Sequence, residues 1–202
     1  KSASDPSMIV DKITGEIFLF FNYMDLKNEK DVYYLKMTRS NDNGKTWSVP
    51  EDITSQIAKQ DWYHDFKFIT SGRGIQTSKG KLVHTLVNLQ KGLFLFESDD
   101  HGESWNLIDT PIEPADESKI VGLKDGSWMV NSRVNDAGNR FIHVSTDEGK
   151  TWKASPEPSL TDPGCNASII RHSSERDGSD KSILLFATAN DEDERKNMTV
   201  KV

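Results

Sequence analysis

One cysteine, Cys165, stands among 202 residues, so no internal disulfide can form. Exported bacterial enzymes often lack disulfides too, and the count leaves the compartment open. Basic residues are outnumbered, 25 against 32 acidic, for a net charge of −7. With no Lys/Arg stripe to neutralise phosphates, nucleic acid is excluded as a partner. No run of about 18 apolar residues occurs, so no membrane-spanning helix is expected. The first residues, Lys1-Ser2-Ala3-Ser4-Asp5-Pro6, carry no apolar signal stretch, which a mature chain would already have lost. No convincing amphipathic helix of about ten residues or more is found, which leaves a chain that is nearly all β.

What is present is a repeat. Ser40-Asn41-Asp42-Asn43-Gly44-Lys45-Thr46-Trp47, Ser98-Asp99-Asp100-His101-Gly102-Glu103-Ser104-Trp105 and Ser145-Thr146-Asp147-Glu148-Gly149-Lys150-Thr151-Trp152 all read S-x-D-x-G-x-[ST]-W. A period of roughly 50 residues marks a repeat architecture. Asp bonds amides within its own turn, Gly tolerates positive φ, and the Ser/Thr hydroxyls add local bonds. The closing Trp offers a large apolar surface suited to wedging between packed sheets. Apolar-rich runs precede each box: Val32 to Met37, Leu93 to Phe96 and Phe141 to Val144. The expected unit is one hairpin corner per propeller blade, with the boxes structural rather than catalytic.

Propellers carry roughly four to eight blades of four strands. This length supplies about four at most, and an open arc would leave strand edges uncovered. The chain is therefore expected to be part of a longer polypeptide or to pair with other segments. Along it, Ser7 to Val10, Glu16 to Asn22 and Asp31 to Arg39 read as strands, and 48–60 as a connection with one helical turn. Lys81 to Asn88 and Gly92 to Glu97 form a hairpin pair. Lys119 to Leu123, Ser127 to Ser132 and Arg140 to Val144 precede the third box. Ala167 to Arg171 and Ser182 to Thr188 open a fourth unit, with 173–181 an exposed polar loop. No domain boundary is visible within 1–202.

The boxes resemble the Asp boxes, or bacterial neuraminidase repeats, of the sialidase superfamily. The segments between them are more specific. Ser4-Asp5-Pro6-Ser7-Met8-Ile9-Val10-Asp11 with Thr14 to Leu19 resembles the opening of the second sialidase blade, and Gly72-Arg73-Gly74-Ile75-Gln76 a stretch of the third. Glu117-Ser118-Lys119-Ile120-Val121, Leu123 to Ser127, Asn131-Ser132-Arg133 and Arg195-Lys196-Asn197-Met198-Thr199-Val200 resemble later segments, in family order. The chain is thus similar to bacterial exo-α-sialidases. The resemblance implies an all-β, six-bladed propeller, of which this chain supplies roughly three to four blades. It also implies a secreted or cell-surface bacterial enzyme that cleaves terminal sialic acid from glycoproteins or glycolipids. Its expected partners are sialylated glycans and the remaining segments of the same propeller.

Holding the carboxylate of sialic acid calls for guanidinium forks, and the resemblance makes Arg133 and Arg195 two of an arginine triad. The acidic run Asp191-Glu192-Asp193-Glu194 before Arg195 departs from the family pattern. Sialidases use a tyrosine nucleophile, and a phenol with a pKa near 10 needs a base. Glu117 matches that base. Asp5 matches an aspartate that bonds the sugar, its alternative being a plain Asp-Pro turn. Trp62 is either a wall for the N-acetyl group or core packing. No metal or cofactor is called for, although calcium near a loop would be compatible.

His64 reads as structural or exposed, and Cys165 as a buried small residue. An Arg-Ile-Pro motif, the acid-base aspartate and the nucleophile match nothing in the chain, and Tyr23, Tyr33, Tyr34 and Tyr63 fit none of these roles. The resemblance therefore implies about half of an active site. An intramolecular trans-sialidase is compatible with the same residues. The competing class is a non-catalytic carbohydrate-binding or adhesion propeller.

Overall fold

The three boxes fold alike, because each aspartate closes its own turn. In the first, Asp42 accepts bonds from Thr46 N at 2.9 Å and Thr46 Oγ1 at 2.6 Å. Ser40 Oγ donates to Asp42 at 2.9 Å and accepts from Gly44 N at 2.9 Å. Asp100 repeats this with Ser104 and Ser98, and Asp147 with Thr151 and Ser145. Two consecutive residues take positive φ in each turn: Asn43 and Gly44, His101 and Gly102, Glu148 and Gly149. The sequence pattern shows only the glycine of each pair.

These turns sit in a computed structural model that describes residues 1–173 and 182–202. Apart from Ser173, the polar stretch read as an exposed loop lies outside the described residues. Two compact units divide the chain, Lys1–Pro111 and Ile112–Val202.

The first unit contains β1 (Ser2–Val10), β2 (Ile17–Met24), β3 (Tyr34–Ser40) and β4 (Glu51–Asp52), then one helical turn, α1 (Thr54–Ile57). After a 3-10 turn at Gln60–Trp62 come β5 (Lys67–Ile69), β6 (Gly72–Arg73), β7 (Ile75–Gln76), β8 (Leu82–Asn88), β9 (Gly92–Ser98) and β10 (Asn106–Ile112). One sheet runs β4-β3-β2-β1-β6 and the next β10-β9-β8-β5, with β7 beside β8. Alternate residues of the first sheet, Phe18 and Phe20 on β2 and Leu35 and Met37 on β3, turn inward against Leu86, Phe94 and Phe96 of the second. Trp105 fills this interface, 5.8 Å from Phe18, 5.1 Å from Phe20 and 5.5 Å from Phe96 between ring centroids.

Only this box tryptophan acts as the expected wedge. Trp47 is 40% exposed and Trp152 is half-buried. Each instead donates its Nε1–H to the carbonyl of its own box glycine, Gly44 at 3.1 Å and Gly149 at 3.2 Å. That local bond satisfies the indole without burial, so the expectation is corrected for two of the three.

In the second unit, β11 (Ser118–Gly122), β12 (Trp128–Ser132), β13 (Asn139–Ser145) and β14 (Lys153–Thr161) form one antiparallel blade in sequence order. A three-stranded sheet follows, of β15 (Ser168–Ser173), β16 (Ser182–Ala189) and β17 (Met198–Lys201). Val121, Met129, Ala167, Ile169 and Phe186 bury the faces between them. The chain is all-β, with four successive propeller blades.

Asp11 fastens the β1–β2 hairpin to the second box. Its carboxylate, with no exposed surface, accepts from Ile13 N at 2.8 Å, Gln76 Nε2 at 2.6 Å and His101 Nδ1 at 2.7 Å. Burial opposes its ionisation, but these bonds outweigh burial and hold its carboxyl at about 2. The bonds from Thr46 and Thr151 hold Asp42 and Asp147 at about 2 as well.

Two outcomes follow. Gly102 has φ +86, and a Cβ there would lie 2.3 Å from the Phe18 ring, whereas one on Gly44 meets nothing closer than 3.5 Å. Gly102→Ala is expected to cost about 3 kcal/mol, from backbone strain plus overpacking, and Gly44→Ala about 1 kcal/mol from strain alone; urea unfolding of the two variants checks the difference. Because the folded carboxyl values lie below the ordinary 3.9 or so, the stability they contribute is complete above about pH 4. It is lost as pH falls toward 2. Urea midpoints measured across that window should fall steeply, and less steeply in Asp11→Asn.

Candidate active site

Strand register brings Glu117 and Arg133 together. In the β11–β12 hairpin the ladder ends with Ser118 opposite Ser132, and Glu117 and Arg133 are the next residues outward on the two chains. Asp116 N donates to Arg133 O at 2.9 Å, one residue out of that register, and closes the end of the hairpin. The 123–127 turn sets this register: Leu123 N donates to Ser127 O at 2.8 Å, and Asp125 accepts from Ser127 N at 3.0 Å. A slip of one residue would put the two side chains on opposite faces.

At this open end Arg133 Nη1 donates to Glu117 Oε2 at 2.5 Å, and Nε donates to Asn135 Oδ1 at 2.8 Å. Asp116 stands 3.7 Å from Nε and accepts from Asn135 Nδ2 at 3.2 Å. Both side chains of the ion pair are partly exposed, 19% for Arg133 and 18% for Glu117. Among the described residues none accepts from Arg133 Nη2 or donates to Glu117 Oε1. The site therefore offers a planar donor edge beside a free carboxylate oxygen. That combination can hold an anion and accept a proton.

Behind the pair lies a buried polar layer that the sequence reading passes over. Arg140 Nε donates to Asn131 Oδ1 at 2.7 Å, Nη1 to Cys165 O at 2.9 Å and Asp162 Oδ2 at 3.4 Å, and Nη2 to Asn131 O at 3.2 Å. Asp162 also accepts from Thr188 Oγ1 at 2.8 Å and from Gly164 N at 2.9 Å. His143 is buried with Nδ1 at 3.0 Å from Ser132 Oγ and Nε2 at 3.2 Å from Glu113 O. Burial pushes its pKa down, so the imidazole is neutral: Nε2–H donates to the carbonyl and Nδ1 accepts from the serine. Nothing in the spacing of these residues marks them, because their role arises only when the strands align.

The other expected site residues are placed differently. Arg195 is exposed on the turn before β17 and bonds to neither Glu117 nor Arg133. Lys196, not Arg195, answers the acidic run, pairing with Glu194 at 2.7 Å and Asp191 at 3.3 Å. A Cβ on Gly138 would lie 3.8 Å from Glu192, so this turn abuts the loop that follows Arg133.

In the first unit, Asp5 takes φ +52 at a bulge in β1, between the pairs Ser4–Asn22 and Ser7–Phe20. Asn22 Nδ2 donates to it at 3.2 Å and also to Ile69 O at 3.1 Å. Of the two readings of Trp62, wall or core, its burial favours core: it is 2% exposed and packs on Phe94 at 4.7 Å. His64 is exposed and Cys165 is buried. Of the tyrosines, Tyr34 is pushed up to about 12 by burial and by its bond to Glu29. Among the described residues no group of three or more His, Cys, Asp or Glu is arranged to hold a metal ion.

Comparison with known proteins matches all of 1–202 to the BNR repeat-like domain. The chain belongs to the BNR repeat-like family. A sialidase from Micromonospora viridifaciens is 32% identical over 100% of the chain, and one from Bacteroides fragilis 28% identical over 98%. The chain spans 34% and 40% of these relatives. Among solved structures, the Hadza microbial sialidase Hz136 superposes with a TM-score of 0.84 at 28% identity, over 98% of this chain and 42% of that one. Its relatives are sialidases, and its blades are those of the sialidase propeller.

Removing the buried guanidinium should be far worse than removing the site arginine. Arg140→Met leaves Asp162 as an uncompensated buried charge and is expected to cost about 3–5 kcal/mol. Arg133→Met, at a partly solvated pair, should cost about 1 kcal/mol. Denaturant unfolding of both variants measures the contrast.

Proposed function

We propose that this chain forms the central part of the catalytic propeller of a retaining exo-α-sialidase, acting on terminal sialic acid of glycoconjugates outside the cell or at its surface. The Glu117–Arg133 pair, in a chain whose relatives are sialidases, is the observation that carries the reading. Arg133 presents Nη2 to the carboxylate of the sugar acid, and Arg195, without a partner among the described residues, swings to the same group. Asp5 bonds polar groups of the sugar.

Glu117 takes the proton of a tyrosine supplied by the rest of the polypeptide. A phenol attacks at neutral pH only as its proton leaves, and the free Oε1 is the acceptor. A neutral phenol also approaches the substrate's carboxylate without the repulsion that a carboxylate nucleophile would meet. The tyrosine oxygen displaces the aglycone, which leaves with a proton from an acid-base residue of the rest of the polypeptide. Water deprotonated by that same residue then breaks the tyrosyl–sugar bond with retention, and Glu117 returns the proton to the tyrosine.

The test is release of a fluorophore from a sialoside by the polypeptide extended to the length of its relatives. Glu117→Gln should lower kcat by 10²–10⁴ or so, and Arg133→Ala should chiefly raise KM. The 202-residue chain alone should give no turnover, since the nucleophile and the acid-base residue match none of its positions. Turnover by the chain alone, or an unaffected Glu117→Gln, overturns the reading.

A further inference from the structure

Arg133 is a long side chain with one ligand-facing edge, and something must hold its plane. Glu117 fixes Nη1. Nε is fixed by Asn135, two residues on, whose amide is held in turn by Asp116 at 3.2 Å. Asn135 lies beside the 162–165 turn. Gly164 takes φ +67 there, and a Cβ on it would stand 3.4 Å from Asn135 Oδ1 and 3.7 Å from Asn135 Cα. That turn is itself anchored, since Asp162 Oδ1 accepts from both Gly164 N at 2.9 Å and Cys165 N at 3.1 Å. Asp162 Oδ2 meets the buried Arg140 at 3.4 Å.

Hydrogen bonds thus tie the 162–165 turn to the buried Arg140, and Asn135, beside Gly164 of that turn, bonds the guanidinium of Arg133. Asn135 itself is exposed and supports no core packing. Its two bonds are directed at the site alone.

We propose that Asn135, held by Asp116, is the positioning residue that aims the open edge of Arg133 at an incoming carboxylate. The inference rests on the sialidase reading for the identity of that carboxylate, but not for the geometry. An arginine released from Asn135 keeps its charge and its Glu117 contact, yet samples several rotamers. It then pays the ordering entropy when the ligand binds.

Two readouts on the full chain test it: hydrogen exchange of the Arg133 Nε–H by ¹⁵N NMR, and titration with N-acetylneuraminic acid. Asn135→Ala is expected to speed Nε–H exchange tenfold or more and to weaken binding about tenfold. The unfolding midpoint should be unchanged. Asn135→Asp keeps an acceptor for Nε but replaces the amide that donates to Asp116 with a second carboxylate oxygen, so its exchange should fall between the parent and Asn135→Ala. Exchange in Asn135→Ala within twofold of the parent overturns the proposal. If Arg133→Ala leaves binding of N-acetylneuraminic acid unchanged, the functional reading fails instead, and Nε–H exchange still decides the role of Asn135.

Discussion

Burying a guanidinium costs several kcal/mol unless its donors are met, and the side chain of Arg140 has no exposed surface. Its donors reach Asn131 on β12, Cys165 after β14, and Asp162, which also binds Thr188 on β16. One side chain therefore ties both sheets of the second unit to the turn between them. The hydrophobic contacts of Val121, Met129, Ile169 and Phe186 supply the bulk of that interface but are non-directional. Arg140 adds direction. Without it Asp162 keeps its bonds to Gly164, Cys165 and Thr188 but loses its buried counter-charge.

The Asp boxes perform the corresponding task at one corner of three of the four blades. A carboxylate that accepts an amide and a hydroxyl four residues on closes its turn whether or not its tryptophan is buried. This explains why the box recurs with constant internal bonds but with three different tryptophan environments. Trp105 is a core residue, and Trp47 and Trp152 are satisfied by their own turns. The repeated element is thus a hydrogen-bonded corner, and the burial of its indole depends on the neighbouring sheet. At Gly102 that neighbour is Phe18, close enough to exclude any Cβ.

Much of the fold was legible because it rests on local chemistry. Strand runs, the helical turn near residue 54 and all three corners follow from residue type and spacing. Glu117 and Arg133 were legible through short segments that resemble a family, and the hairpin register then makes them adjacent. Asn135, Asp162 and Arg140 were not, since an asparagine in a polar loop and an arginine in a strand carry no signal until the strands pair. Trp62 stayed open between sugar wall and core, because an aromatic outside a box carries no sign of the tertiary packing on Phe94 that claims it. Asp5 was half legible, for Asp-Pro signals a turn but not the bulge with φ +52 that Asn22 holds.

The account depends on a guanidinium edge that awaits a carboxylate while Glu117 stays bonded beside it. A crystal structure of the chain soaked with N-acetylneuraminic acid measures this directly. It should show the sugar carboxylate on Arg133 Nη2, the Nη1–Glu117 bond retained, and Arg195 turned toward the same carboxylate. Sugar bound elsewhere, or Glu117 displaced from Arg133 by the ligand, would contradict it.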